Sequence, residues 1–346
     1  MIDFSRIALA VLLVAGMSAA EAQEKLPLVK VVATGGTIAN TPSGRLHAGE
    51  VVEAIPALKN IARLEVEEVM RVGSSSITLE NWLRLARRIN EIFSQESEVQ
   101  GVVVTHGSNT LEETGYFLSL TVKSDKPVVL TAAQRQFRTL SSDSPKNFLQ
   151  AVRVAVSDEA RGKGALIVAN DVINAARDVT KTISYRLETY TSRDLGALGF
   201  VDEDQVTFYR APLKQHTTAA PFDVLHLQKL PRVDIIYTYA DADGALIEAA
   251  VTHGHAEGLV IAGFPTGSGT PAMDQAVRRV AAQGIPVVMT HRGGMGRATE
   301  TENRASEDRP LIWGDNLTPQ KARILLMLAL TTTRDPGELQ RIFQKY

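Results

Sequence analysis

The chain has no cysteine in its 346 residues, only 5% aromatics, and almost no excess of charge: 37 Lys plus Arg stand against 39 Asp plus Glu, a formal net charge of -2. Without thiols there is no disulfide, no thiolate nucleophile and no cysteine metal site. The charge balance, with no basic run and no interleaving of basic and aromatic residues, leaves no electrostatic footprint for nucleic acid or an anionic membrane. No apolar run reaches the ~20 residues a spanning helix needs. Nucleotide fingerprints are missing too. The glycine turn Thr34-Gly35-Gly36-Thr37 is followed by Ile38-Ala39-Asn40, so the third glycine of G-x-G-x-x-G is absent, as are the P-loop and G-x-S-x-G patterns. There is no internal repeat and no low-complexity tract. With 44% apolar and 22% charged residues, the chain is globular and long enough for one large or two moderate domains, each with its own core.

The N-terminus reads as an address rather than as fold. Arg6 precedes an apolar stretch from Ile7 to Ala15, and small residues then lead to Ala20-Glu21-Ala22, the A-x-A pattern a signal peptidase accepts. This predicts a signal peptide over residues 1–22 and a mature protein that is periplasmic or secreted, a destination with which the lack of cysteine is compatible.

Short Val/Ile-rich runs then alternate with helical periodicity, the pattern of a parallel sheet with crossover helices. Leu28 to Gly36, Gln100 to Ser108, Lys126 to Gln134 and Gly164 to Val172 read as buried strands. Leu79, Trp82, Leu83, Ala86, Ile89 and Phe93 form the stripe of an amphipathic helix. Periodicity fails from Thr207 to Val224, which reads as a connection. A second alternation follows, with strands at Ile235–Tyr239, Gly258–Phe264 and Ile285–His291, a helix from about Pro271 to Gln283 and an apolar closing helix from Pro319. The expectation is a large N-terminal α/β domain over 23–210, a linker over 211–230 and a smaller C-terminal α/β domain over 231–346.

In open parallel sheets ligands sit beyond the carboxyl ends of the strands. That rule selects Thr34–Thr37, Thr105–Thr110, Ala132–Arg135 and Asn170–Lys181. The paired glycines leave amide N–H groups unshielded beside the Thr37 hydroxyl, one natural arrangement for a nucleophile next to oxyanion donors. His106 reads as a residue that packs or bonds locally. His253 and His255 have H-x-H spacing but no third ligand in evidence, so they read as surface histidines.

TGGTIA (Thr34–Ala39) and VTHGSNTLEET (Val104–Thr114) resemble the two signatures of the bacterial type II L-asparaginase and glutaminase-asparaginase family. The likeness continues in order through KPVVLTAAQR, SSDSPKNFLQAV, NDVINAARDVTKT, PFDV and LTPQKARILLMLAL. It implies the family's large-plus-small α/β fold, no metal or cofactor, and a homotetramer whose sites are built between two subunits. It also implies that Thr37 is the nucleophile that forms an acyl-enzyme on a side-chain amide, with Ser108 and Lys181 as the second catalytic cluster. Gly36, Ser74, Ser75, Gly107 and Asn109 fall at substrate-binding positions, Ser74 at the α-carboxylate and Ser75 where the family often has a glutamine.

Two departures matter more than the matches. The family signature T-H-G-T-D-T has an aspartate where this chain has Asn109, and that carboxylate holds the substrate's α-ammonium. The family's longer mobile loop, which brings a tyrosine to the nucleophile, is here the short NTPSGRLHAGE with no tyrosine; Leu46 and His47 occupy the neighbourhood, and His47 is the nearest replacement. An ammonium buried without its counter-ion is penalised, which shifts the expected substrate from free L-asparagine to an α-blocked amide, imide or ester. Two other readings stay open. One is a true asparaginase or glutaminase helped by Glu300, Glu302 or Glu307 of a neighbouring subunit; the other is a non-catalytic small-acid binder. Taken singly, Asn109 also suits an ordinary turn, and Lys181 suits a surface ion pair with Asp178.

Overall fold

In the computed structural model, which describes residues 26–300 and 311–346, the Val-rich runs become the centre of a mixed sheet. The proposed signal peptide, Glu302 and Glu307 lie outside the described residues. In chain order the first part holds β1 (Leu28–Ala33), β2 (Asn40–Thr41), β3 (Gly44–Arg45), α1 (Ala48–Glu53), β4 (Arg63–Glu68), α2 (Leu79–Gln95), β5 (Val99–Thr105), α3 (Leu111–Thr121), β6 (Val128–Thr131) and α4 (Ser144–Ala155). It continues through β7 (Ala165–Ala169), β8 (Val172–Ala175), β9 (Thr180–Lys181), β10 (Tyr190–Thr191), β11 (Gly199–Val201) and β12 (Val206–Phe208). The second part holds β13 (Val233–Tyr237), α5 (Ala245–Thr252), β14 (Gly258–Gly263), α6 (Pro271–Ala282), β15 (Val287–His291), β16 (Ile312–Trp313), α7 (Pro319–Ala329) and α8 (Pro336–Lys345).

The large sheet has eight strands in the order β12-β11-β8-β7-β6-β5-β1-β4. Pairing is parallel from β4 through β7 and antiparallel from β7 to β12. The smaller sheet, β13-β14-β15-β16, is parallel throughout. The chain leaves β1 for β4 on one side and returns to β5 on the other, so the strand order reverses between β1 and β5. A crevice opens at such a switch point, beyond the carboxyl ends of the two strands.

The helices read from the sequence at Leu79–Phe93, Pro271–Gln283 and from Pro319 are present as α2, α6 and α7. Thr78 caps α2, its Oγ1 accepting the Asn81 N–H at 3.2 Å while Asn81 Oδ1 accepts the Thr78 N–H at 3.0 Å. The stripe Trp82, Leu83, Ala86 and Ile89 is buried, and the Trp82 ring stacks on Phe117 of α3 with centroids 5.3 Å apart. Helix α7 is apolar nearly all round because it is covered on all sides: it packs on β13–β15, α3 and α8. Ile324 through Ala329 are fully buried, so this stripe is core.

Two sequence expectations shift. The connection expected from Thr207 begins one strand later, since Val206–Phe208 pairs with β11 as an edge strand. The strand read over Gly164 to Val172 ends at Ala169, and the stretch Asn170–Lys181 beyond it contains β8 and β9. Asn170 and Asp171, both at positive φ, make the tight turn that sends β8 back along β7.

Candidate functional site

Three turns converge on the crevice. After β1 the chain passes Gly35 and Gly36, at φ 101° and 92°, into a short 3-10 turn that begins with Thr37. After β5 it passes His106 and Gly107 to Ser108 and Asn109. After β4, the Val72 N–H donates to the Thr34 carbonyl at 3.0 Å, which delivers Ser74 to the same place. The glycines are needed for contact as well as for φ. A Cβ on Gly36 would lie 2.3 Å from the Gly107 Cα, and one on Gly107 would lie 2.7 Å from Ser74 Oγ. Thr37 and Ser108, each directly after one of these glycines, therefore flank one backbone contact. The Thr37 hydroxyl has no hydrogen-bond partner among the described residues, whereas Ser74 Oγ accepts the Asn109 N–H at 3.1 Å.

Lys181 reaches the site from β9. Its Nζ donates to Ser108 Oγ at 2.8 Å and to Asn109 Oδ1 at 3.4 Å. It makes no pair with Asp178, which instead meets Arg177 at 3.1 Å. Burial holds the Lys181 ammonium below its ordinary pKa, opposed by the charge of Glu112. Glu112 is itself buried; it accepts the Lys181 N–H at 3.2 Å and the Gln320 Nε2–H at 3.1 Å. Opposite Lys181 in the β9–β10 pairing stands Tyr190, whose hydroxyl donates to the Ser108 carbonyl at 2.7 Å. Burial keeps that phenol protonated, far above its ordinary pKa, so it acts as a fixed donor.

The scaffold behind this pair comes from residues far away in sequence. Lys321 of α7 is fully buried, with its pKa pushed down to about 8 by burial, and it donates to the carbonyls of Arg177 and Val179. It thus ties the small domain to the turn that delivers Lys181. Gln134 Nε2 donates to the carbonyls of Ser184 and Arg186 at 3.1 and 3.2 Å, holding the loop of the same hairpin. The Ala132–Arg135 turn is therefore scaffold. Tyr190, Glu112, Gln320 and Lys321 were not selected from the sequence. A lone Tyr or Glu carries no spacing signal, and these contacts exist only in the folded chain.

The other sequence-selected residues are placed as follows. Ser75 and Asn109 are solvent-exposed at the mouth. His47 caps α1, and its ring nitrogens face Glu68 at 3.4 Å and Arg71 at 3.3 Å. Leu46 packs against the core. His253 is exposed and bonds the neighbouring Thr252 hydroxyl. No group of three or more His, Cys, Asp or Glu among the described residues is arranged to hold a metal, and no described helix is long and apolar enough to cross a membrane.

His106 is buried scaffold. One ring nitrogen meets the Gly107 carbonyl at 2.7 Å, the other the Thr114 hydroxyl at 3.0 Å, and that hydroxyl accepts from Trp82 Nε1 at 2.8 Å. Burial pushes its pKa down to about 4. The unfolded chain takes up this proton near pH 6.5 and the folded chain does not, so the stability tied to His106 is complete above that pH and is lost as pH falls toward 4. Glu113, whose carboxyl is held up near 7 chiefly by burial, titrates with the opposite sign. The expected result is therefore a difference: from pH 7.5 to 5 the native chain loses about 2 kcal/mol more than His106→Gln. Urea melts of both proteins at both pH values measure it, and parallel pH profiles would refute it.

The N-terminal asparaginase family model matches residues 28–214, and the glutaminase/asparaginase C-terminal domain model matches residues 232–343. L-asparaginase 2 of Bacillus subtilis is 42% identical, over 95% of this chain and 90% of that protein. A probable periplasmic L-asparaginase of Haemophilus influenzae is 37% identical over 99% of both chains. The crystal structure of a probable cytoplasmic L-asparaginase from Campylobacter jejuni, 40% identical, superposes with a TM-score of 0.88 over 92% of this chain and 99% of that one.

Proposed function

Because this chain belongs to the asparaginase and glutaminase family of amidohydrolases, we propose that it hydrolyses a carboxamide through an acyl-enzyme on Thr37 and that its substrate lacks a free α-ammonium. The observation that carries the specificity is the state of the second cluster. Asn109 offers Lys181 only an amide oxygen, and Glu112, the one carboxylate among the described residues whose charge acts on Lys181, is buried and already accepts two N–H groups. A substrate ammonium at Asn109 meets an amide rather than an anion among the described residues, and a neutral amide offsets only part of its desolvation. An α-blocked amide, imide or ester is spared that penalty.

In the proposed reaction, Thr37 Oγ1 attacks the carbonyl carbon while unshielded loop N–H groups meet the developing oxyanion. The Ser108–Lys181 pair takes the hydroxyl proton and returns it to the departing ammonia. Water then cleaves the ester by the reverse route. Gly36 and Gly107 permit the close approach, Ser74 holds the acid group of the substrate, and Ser75 and Asn109 line the mouth. The same proposal includes a homotetramer with sites shared between subunits, the division at 211–230, where the regular structure is one short 3-10 turn at Thr217–Ala219, and export to the periplasm or beyond. The A-x-A layout at Ala20–Ala22 and the relative named as periplasmic support export.

Ammonia release from L-asparagine, with the native protein beside Asn109→Asp, tests this reading. A restored charge-assisted contact corresponds to a gain of about 10- to 100-fold in kcat/KM for the free amino acid. Efficient native turnover with little gain would make the protein an ordinary asparaginase in which another carboxylate, such as Glu300 of a neighbouring subunit, meets the ammonium. Silence of both proteins toward L-asparagine and toward α-blocked amides would leave the small-acid binder.

A further inference from the structure

The short hairpin β2–β3, which follows the Thr34–Thr37 turn, brings to that turn a cation that amide hydrolysis does not use. Arg45, in β3, donates from Nε to Asn40 Oδ1 at 2.7 Å. Its Nη1 lies so near Gly35 that a Cβ there would meet it at 3.1 Å. Arg71 backs it, donating to the Arg45 carbonyl oxygen. The charge of Arg71 is partly met by Glu68 at 3.9 Å, while Arg45 has no carboxylate within ion-pair distance among the described residues. With Asn40, Thr41, Gly44 and Gln136, the two arginines line an open cavity of about 400 Å³.

A half-buried guanidinium without a counter-ion is a ready partner for a carboxylate, which its planar fork binds through two parallel N–H groups. Gly35 lies two residues before Thr37 in the turn after β1, which sets the Arg45 guanidinium against the same loop that carries the proposed nucleophile. We propose that Arg45, backed by Arg71, forms a subsite for a second carboxylate of the substrate. The substrate class is then an α-blocked amide whose blocking acyl group itself carries an acid. The inference rests on the preceding reading that the α-amino group is blocked.

Calorimetric titration of Thr37→Val with N-acetyl-L-asparagine and N-succinyl-L-asparagine tests it without turnover. The succinyl compound is expected to bind at least about tenfold more tightly. Arg45→Gln in the same background erases that preference and leaves the acetyl compound within about twofold, and Arg71→Gln reduces the preference by less. Equal affinities with Arg45 intact, or an equal loss for both compounds in a folded Arg45→Gln protein, overturn the subsite and leave the α-blocked reading standing. Binding of neither compound, together with turnover of free L-asparagine by the native protein, overturns both.

Discussion

Thr37→Val is expected to lower turnover of the preferred amide by about a thousandfold or more while the protein stays folded. The size follows from removing a nucleophile rather than a contact: without an acyl-enzyme, only binding and oxyanion stabilisation remain. The fold should be indifferent, because the Thr37 hydroxyl has no hydrogen-bond partner among the described residues and valine keeps its shape within the 3-10 turn at Thr37–Ala39. Thr37→Ser keeps the hydroxyl and should recover part of the rate. The measurement is kcat with a melting curve for each variant, and mass spectrometry of the quenched enzyme locates the acyl group. Near-native turnover by Thr37→Val, with the acyl group on Ser108, would reverse the roles of the two hydroxyls. Ser108 is the credible competitor because it already holds a lysine Nζ at 2.8 Å.

The sequence was most informative where burial is complete. β1, β5, β6 and β7 are nearly uninterrupted apolar runs because both faces of the sheet are covered, and the turns after β1 and β5 follow from strand polarity alone. β4 escaped notice: Arg63–Glu68 carries three glutamates and lies half-exposed at the sheet edge. β8, β11 and β12 are three or four residues long and too short for a period to register. The strand-end rule picked out the turns that carry Thr37, Ser108 and Lys181, motif resemblance supplied their roles and added Ser74, and the structure brings Ser74, Ser108 and Lys181 into one hydrogen-bonded cluster with Asn109, with Gly36 before Thr37 packed on Gly107 before Ser108. Their support was not legible. Gln320 lies 208 residues from Glu112, and Lys321 lies 144 from Arg177. Only the docking of α7 against the large domain makes these pairs neighbours.

Lys181→Met carries the second large expected effect, a fall in kcat of about 100- to 10,000-fold with KM changed by only a few-fold, since the amine serves the proton path rather than the grip on substrate. Lys181→Arg should fail to restore the rate although it keeps the charge, because a guanidinium stays protonated throughout the working range. The sign of the pH dependence follows from the same amine. As a base, Lys181 acts when neutral, so activity rises with pH and levels off above its pKa. Burial moves that rise below the ordinary lysine value of 10.5. Asn109→Asp would place a carboxylate where Nζ now meets an amide oxygen at 3.4 Å, which favours the ammonium form and moves the rise to higher pH. The variant should therefore gain on L-asparagine through KM while its kcat at neutral pH falls. A kcat profile that stays put in Asn109→Asp, or a Lys181→Met enzyme that keeps native kcat, would remove the lysine from the proton path. On this argument Asn109 does two things at once, turning away the free α-ammonium and leaving the neutral form of Lys181 easier to reach than a carboxylate at that position would.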